Sequence, residues 1–424
     1  MSDIGVQVDR VQWGVGNGGF HTEDVWVLPP APSPRDPVLR IVYDCGTLRP
    51  RTLLQGEVRA WCLASRVAAA PDCTDVLILS HFDRDHVNGL PLLDGEGFRP
   101  DVVILPYLPV GARVIQLLAN IAASADTDGG EPVDDDTFAD ELVVDPHRAI
   151  GELWRGVPII EVGDPESGPE GPEVRVEDPR AGTTVRWDRG GVEVSLPGGP
   201  LGPPVCVLWE CEWAELRPPK SPDLPVHLRD ALADLLDLTP EEVGSPATLW
   251  QAISVKGVTA QVAKLYKSFL GRNLNPYSVV LWSGPGDSAK RVTASRGPTI
   301  RGATPQRDAP VPPWTRSGGW LGTGDAVLRT AADVQGLLDV LARPLGEVDV
   351  VNAPHHGSKN NSGQELYARV PGRPGLVLMN ADGMGRYSHP HADVVGAALK
   401  HGHAVVRVGN SDRERIMWGV SVRP

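Results

Sequence analysis

The segment His81-Phe82-Asp83-Arg84-Asp85-His86 sits directly behind the apolar run Val76-Leu77-Ile78-Leu79. A short apolar run of this length reads as a buried strand. Imidazoles and carboxylates are therefore delivered together at a strand's end. Those are the side chains that hold divalent cations. Carboxylates desolvated side by side are costly unless a cation compensates them. The plainer alternative is a solvated polar loop, which leaves the rest of the chain unexplained.

Three further clusters follow strand-like runs. Gly322-Thr323-Gly324-Asp325 follows an apolar stretch. Pro354-His355-His356-Gly357-Ser358-Lys359 follows Val348-Asp349-Val350-Val351. Ser388-His389-Pro390-His391 follows Gly375-Leu376-Val377-Leu378-Met379. Open α/β architectures place their sites at the carboxyl ends of strands. Asp325 after a glycine turn is suited to approach two ions at once, and a pair of cations needs a shared anion.

Along the chain, strand patterns are expected at Val6–Val15, Val25–Leu28, Val38–Tyr43, Val102–Leu105 and Ser278–Trp282, with closing strands at Ala404–Val408 and Arg415–Val422. Helical spacing is expected over Leu53–Ala70, 137–153, Leu228–Leu238, 246–270, Ala331–Leu341, Gln364–Arg369 and Asp393–Lys400. Pattern alone gives a mixed α/β chain. Motifs from both ends must meet at one site. The parse is therefore one domain over 1–424, with an insertion at about 108–270 and a mobile basic loop at about 284–316.

The formal charge of −14 argues against a broadly basic surface that coats nucleic acid. It does not exclude a nuclease, because bound cations change the local field. The charge is unevenly spread. Asp126 to Glu141 holds eight acids and no Lys or Arg, and reads as a solvated loop. Gly286 to Arg316 holds six cations and two acids, and reads as a solvated loop or a flap that steers phosphate. No apolar run is long enough to span a membrane, and Met1-Ser2-Asp3-Ile4 lacks signal-peptide regions. Five scattered cysteines read as reduced thiols, so a cytoplasmic location is expected.

The motif order resembles the metallo-β-lactamase fold superfamily, with its His-x-His-x-Asp-His, an Asp after Gly and a late His. It is most similar to the hydrolase domain of the ComEC-type competence (DNA internalisation) proteins. Those write the first motif His-x-Asp-x-Asp-His and carry a His-His-Gly-Ser-Lys loop and a late His-Pro. Gly14-Val15-Gly16-Asn17-Gly18-Gly19 and Val42-Tyr43-Asp44-Cys45-Gly46-Thr47 resemble that domain's two opening strand turns. The matching motifs run from about residue 11 to 410, and the middle carries none. The resemblance implies a four-layer αββα sandwich.

It also implies roles. His81 and Asp83 would bind one metal, Asp85 and His86 the second; Asp325 would bridge them and His355 complete the second. Most of the superfamily has a further His before the bridging Asp. Here that interval offers only His147 and His227, and the ComEC-like counterpart is Asn275-Pro276-Tyr277-Ser278. Asp at position 83 hardens the donor set, favouring two manganese ions, with zinc as the alternative. A metal-activated water would be the nucleophile, with Asp85 as general base if one ion binds. His356, Ser358 and Lys359 would hold substrate oxygens, and Lys359 or His389 would assist the leaving group. Asp44 would hydrogen-bond the metal loop or a liganding His. His21, His401 and His403 read as structural or exposed.

The expected activity is phosphodiester hydrolysis of DNA, with no membrane role and with a protein partner conceivable through the 108–270 segment. The alternative is a small-molecule hydrolase: a nucleotide or lipid phosphodiesterase, or a lactonase. A third class is a catalytically weak adaptor, against which the intact ligand set counts.

Overall fold

The computed structural model describes residues 5–28, 37–65, 67, 73–124, 137–163, 174–178, 183–187, 191–197, 205–217, 224–270, 277–287, 289, 291–301, 304–305, 318–341, 345–369, 375–383, 389–410 and 414–424. The chain opens with β1 (Gly5–Gln12), β2 (Phe20–Leu28), β3 (Leu39–Cys45), α1 (Arg51–Ala64), β4 (Thr74–Ile78), α2 (Arg84–Val87), α3 (Leu90–Gly95) and β5 (Val102–Pro106). It continues through α4 (Val110–Ser124), α5 (Phe138–Val144), α6 (Pro146–Leu153) and β6 (Ile159–Val162). A meander of β7 (Val174–Asp178), β8 (Thr183–Trp187), β9 (Gly191–Pro197) and β10 (Val205–Leu216) follows. Then come α7 (Val226–Leu236), α8 (Pro240–Val243), α9 (Pro246–Lys256) and α10 (Thr259–Leu270). The last part holds β11 (Ser278–Pro285), β12 (Arg291–Arg301), β13 (Thr304–Pro305), β14 (Gly319–Gly322), α11 (Ala331–Val340) and β15 (Val348–Asn352). It closes with α12 (Gln364–Arg369), β16 (Leu376–Asn380), α13 (Ala392–Lys400), β17 (Ala404–Val408) and β18 (Arg415–Arg423).

The protein is mixed α/β, built on two large mixed sheets. The first has the order β12-β18-β1-β2-β3-β4-β5-β6, the second β13-β17-β16-β15-β14-β11-β10-β9-β8-β7. In each, one stretch is parallel (β3 to β6, β14 to β17) and the rest antiparallel. Of the parallel strands, β3, β4 and β5 are buried at every position, which fits the apolar runs Ile41–Tyr43, Val76–Ile78 and Val102–Leu105 within them. Because side chains alternate along a strand, neighbours go to different cores. Ile41, Val76 and Ile78 join Trp209, Leu281 and Val350 between the sheets. Val42 and Leu77 face the other way, onto Leu54, Leu117, Ile150, Leu232 and Ile253 of the helices. Val351 and Val377 of the second sheet pack on α11 and α13 through Val334 and Val394. Each sheet thus has one face toward the other sheet and one toward helices.

One charged group lies between the sheets. Arg10 Nε is 2.8 Å from Glu23 Oε1, its Nη1 and Nη2 donate to the carbonyls of Gly318 and Ser283 at 2.7 Å, and Ser283 Oγ donates to Glu23 Oε2 at 2.6 Å. Arg10 also lies over Trp209 at 4.9 Å. A buried pair needs this completeness, since each ion has left water.

The structure corrects several expectations. The 108–270 segment is not wholly an insertion: its helices pack on the first sheet, but β6 pairs with β5 in that sheet, and β9 and β10 pair into the second. Of the basic loop, 291–301 forms β12, paired antiparallel with β18. Its register sets Arg301 against Arg415 and Arg291 against Arg423, so the arginines run along the sheet edge. Lys290, Arg307 and Arg316 lie outside the described residues. So do Asp126, Asp128, Glu131 and Asp134 to Asp136 of the acidic run; Asp140 from that run is buried in α5. The helix expected at 137–153 is two, broken where Asp145 caps Arg148 N and Pro146 starts anew. The helix expected at 246–270 is also two, stopped at Gly257 (φ 61°). Helix α4 was not anticipated, although Val114, Leu117, Leu118 and Ile121 have helical spacing. All five cysteines are free, and four are buried. No helix among the described residues is long and apolar enough to cross a membrane.

Asp24 offers a test of this packing. Its Oδ2 accepts from Ser65 Oγ at 2.5 Å, while its Oδ1 is buried without a partner. Burial raises its pKa to about 6 from 3.8. An acid whose folded-state pKa is raised binds its proton more tightly when folded. Stability from this group is then highest at low pH and falls as pH rises from about 4 through 6. Asp24→Asn should flatten that fall, adding about 2 kcal/mol at pH 8, a figure discounted for the residue's partial exposure. Urea unfolding at pH 5 and pH 8 reads the difference; an unaltered difference in the variant would count against this assignment.

Candidate metal centre

The site is made of turns that follow the ends of β4 in the first sheet and of β14 and β15 in the second. After β4 the chain passes Leu79 and Ser80 and enters His81–His86, with Asp83 preceding α2 in extended conformation. Asp83 makes no cap bond to that helix, so its carboxylate is available elsewhere. The turn after β14 needs Gly324, at φ +49°, because a Cβ there would meet the Ser80 Cβ at 2.5 Å. Only glycine lets the Asp325 turn come this close. The turn after β15 holds His355 and His356 at φ 46° and 55°. Two non-glycine residues in the left-handed region mark stored strain of the kind that clusters at functional sites.

These turns bring the ligand candidates into contact. His81 Nε2 is 3.5 Å from Asp325 Oδ2 and 3.6 Å from Asp83 Oδ2. His86 Nε2 is 3.4 Å from Asp325 Oδ1 and 4.0 Å from Asp85 Oδ2. His355 Nδ1 is 3.0 Å from Asp325 Oδ2, and His356 Nε2 is 3.1 Å from Asp85 Oδ2. Asp325 thus touches His81, His86 and His355. Two groups could hold a metal ion: His81, His86 and Asp325, and Asp85, His86 and His356, each with donor atoms within 4.8 Å of one another. His86 belongs to both. His356, expected to hold substrate, stands where a ligand would. His355, expected as a ligand, meets Asp325 and is in neither group.

Asp44 fixes this arrangement from below. It adopts φ 59°, which aims its carboxylate at the metal loop. Its Oδ1 accepts from Ser80 N at 2.7 Å, and its Oδ2 accepts from Ser80 Oγ at 2.7 Å and lies 2.8 Å from His86 Nδ1. With Nδ1 directed at a carboxylate, Nε2 of His86 faces the centre. Gly19 leaves room for this pair, since a Cβ there would fall 2.8 Å from Asp44 Cβ and 2.9 Å from His86 Nδ1.

The donor set fits a divalent cation. His81 Nε2, His86 Nε2 and Asp325 Oδ1 are all buried and all lack a hydrogen-bond partner. Buried polar atoms are rarely left so, and these three face one another. Without a cation, charges balance through protons. Burial and His86 act to lower the His81 pKa, but Asp325 and Asp83 outweigh them and raise it to about 9. Burial would raise Asp85, yet its bond to His356 and the charges of His86 and His356 hold it at about 2. Asp325 is likewise held well below the usual carboxylate range by His355 and His81. The carboxylates stay ionised, as ligands must, and the raised His81 and His86 would release their protons on taking up an ion.

The helical layer also grips the metal loop, which the sequence reading missed. Gln116 of α4 donates from Nε2 to Asp83 Oδ1, and Asn120, one turn on, donates from Nδ2 to the Phe82 carbonyl at 3.0 Å. Arg84 Nη2 lies 3.5 Å from Asp140 Oδ2 of α5. A polar pair four residues apart on the buried face of an apolar helix was the available signal. The remaining expected residues lie around the centre. His389 is buried, with its ring 5.4 Å from His355 and 6.4 Å from His356. Burial, with His355, His356 and His391 nearby, lowers its pKa to about 3. Lys359 is exposed, and its backbone N donates to His391 Nδ1 at 3.3 Å. Ser358 is buried, with Oγ accepting from Asn360 N at 3.3 Å. His147 is 61% exposed near Glu161, and His227 is exposed on α7; neither joins the centre.

No family model matches the chain. One curated relative is similar in part: ComE operon protein 3 of Bacillus subtilis (strain 168), 30% identical over 96 residues. The match covers 22% of this chain and 12% of the relative's length.

Outer partners that fix a liganding His or carboxylate typically contribute about 10–100-fold to metal affinity. Asp44→Asn should therefore weaken manganese or zinc binding by about that factor, while Gln116→Leu, which acts on Asp83 outside both donor groups, should weaken it by less, with little change in far-ultraviolet circular dichroism. Isothermal titration of purified, chelator-stripped protein checks both. Full affinity in Asp44→Asn would show that the Asp44–His86 bond does not hold a ligand.

Proposed function

We propose that the chain is a metal-dependent hydrolase of phosphodiesters, acting on DNA, with a fold of the metallo-β-lactamase type. The observation that carries this reading is the convergence of three unpartnered buried atoms, on His81, His86 and Asp325, from turns more than 200 residues apart in sequence. Two sheets facing each other with helices on both outer sides support the fold part. The partial likeness to ComE operon protein 3 is consistent with it.

His81, His86, Asp325, Asp85 and His356 would hold one or two divalent ions. The carboxylates favour manganese, and the three imidazoles keep zinc as the alternative. A bound ion would supply Lewis acidity toward a phosphoryl oxygen and toward water. The protein's own part is orientation and proton traffic. Asp44 and Gln116 keep His86 and Asp83 in place. Asp85, held ionised, is able to accept a proton from an attacking water. His389, near His355 and His356 and neutral, is able to hold a substrate oxygen through its ring N–H. Lys359, exposed on the same loop, is free to meet a phosphate.

A second reading, a small-molecule hydrolase, draws on β12. Arg291 pairs with Arg423, at the opposite end of the strand from Arg301. Arg301 pairs with Arg415, and Ile416 pairs with Gln12, the last residue of β1 before the turn that leads to Gly19. Only the Arg301 end of the strand therefore lies toward the centre.

The deciding experiment is metal-supplemented turnover on linear and circular DNA beside bis-p-nitrophenyl phosphate. Asp325→Ala should abolish both reactions. Arg301→Ala should reduce DNA cleavage while sparing the small diester. DNA cleavage should also fall steeply with salt, because each neutralised phosphate releases counterions. Turnover of the small diester alone would assign the second reading, and no turnover of either with manganese or zinc would overturn the hydrolase proposal.

A further inference from the structure

On the inner side of the metal centre lies a small cavity of about 20 Å³. Its walls include Gln12, His21, Tyr43, His86, Asn352 and Asn380. Two of these residues carry buried side-chain atoms with no partner: His21 Nδ1 and Asn380 Oδ1. The other wall amides are committed. Gln12 Nε2 donates to the Phe20 carbonyl at 2.9 Å, Asn352 Nδ2 donates to Gln12 Oε1 at 2.8 Å, and Asn352 Oδ1 accepts from Trp320 Nε1 at 3.2 Å.

The two orphaned atoms need the same thing. His21 Nε2 lies 3.4 Å from Glu23 Oε1, and Glu23 is held ionised by Arg10 at 2.8 Å. An ionised carboxylate only accepts, so Nε2 carries the ring proton and Nδ1 presents a lone pair. The ring cannot swing to find another partner, because it is stacked on Trp320 at 3.9 Å and 5°. Asn380 Oδ1 is also an acceptor. A group with two donors and the volume of one small molecule answers both needs. A polar cavity of about 10–15 Å³ or more holds a water.

We propose that this cavity is a built binding site for a single water molecule, which donates one O–H to His21 Nδ1 and the other to Asn380 Oδ1. The water sits on the interior side of His86. It joins the Arg10–Glu23 group between the sheets to the back wall of the metal centre through His21. The site stands independently of whether the centre hydrolyses phosphodiesters.

The test is a high-resolution crystal structure of the full chain. The expected result is one density peak within about 2.7–3.2 Å of both His21 Nδ1 and Asn380 Oδ1. An empty cavity, protein donors on either atom, or a peak with the short, many-oxygen contacts of a cation would each overturn the proposal. His21→Phe with Asn380→Leu keeps an aromatic ring on Trp320 and removes both acceptors, so the peak should vanish; its persistence would overturn the proposal. Nitrogen-15 spectra of the wild-type protein supply a second readout that needs no variant. His21 should appear as the neutral Nε2–H tautomer with a hydrogen-bonded Nδ1, and the Nδ1–H tautomer would count against the water.

Discussion

The centre depends on one buried carboxylate, Asp44, that is not itself among the ligand groups. It takes the backbone N–H and the hydroxyl of Ser80 and the Nδ1 side of His86 at once. Through Ser80 it sets the course of the metal loop, and through His86 it sets the direction of the one residue shared by both donor groups. Burying a carboxylate with fewer contacts would be costly. Asp44 is acceptable in the interior because its oxygens are occupied, and that same occupancy leaves His86 Nε2 turned toward Asp325.

Around this point, two unlike supports meet. The second sheet brings Asp325 and His356 on tight turns whose backbone only glycine, or a strained histidine, can follow. The helical layer reaches the same loop from outside with amide side chains, Gln116 and Asn120, and with the Arg84–Asp140 pair. Loop residues that are held on both sides keep their geometry when a ligand is absent, which is what preorganised sites require.

Much of this was legible in the sequence, for a physical reason. A strand's end followed by imidazoles and carboxylates is a local pattern, and His81–His86, Asp325 and His355–His356 each carried it. Asp44 was readable too, as an acid beside a glycine turn. What failed to show was whatever depends on a partner far along the chain. His356, not His355, falls in a candidate donor group, and both residues lie in the left-handed region, which no residue type there announces. The segment 108–270 carries no family motif, and its short strands complete both sheets. Their pairing is set by neighbours outside the segment. Arg291 to Arg301 read as a loop because Gly, Pro, Ser and Thr abound there; edge pairing with β18 overrode that preference, as tertiary context does for β structure.

The pairing of β1 with β18 has a consequence for the order of events in folding. The N-terminal strand lies between β2 and β18, and β18 carries β12 on its other side. The donors arrive from residues 81 to 356, and the turn before β2 that shelters His86 is tied by Gly16 N to the carbonyl of Gly409. Such long-range closure is slow relative to local helix formation. Neither half of the chain carries a complete donor group of its own, so the centre is a late product of folding. A growing chain would carry His81 to His86 without the means to use them until Asp325 and His356 had been made.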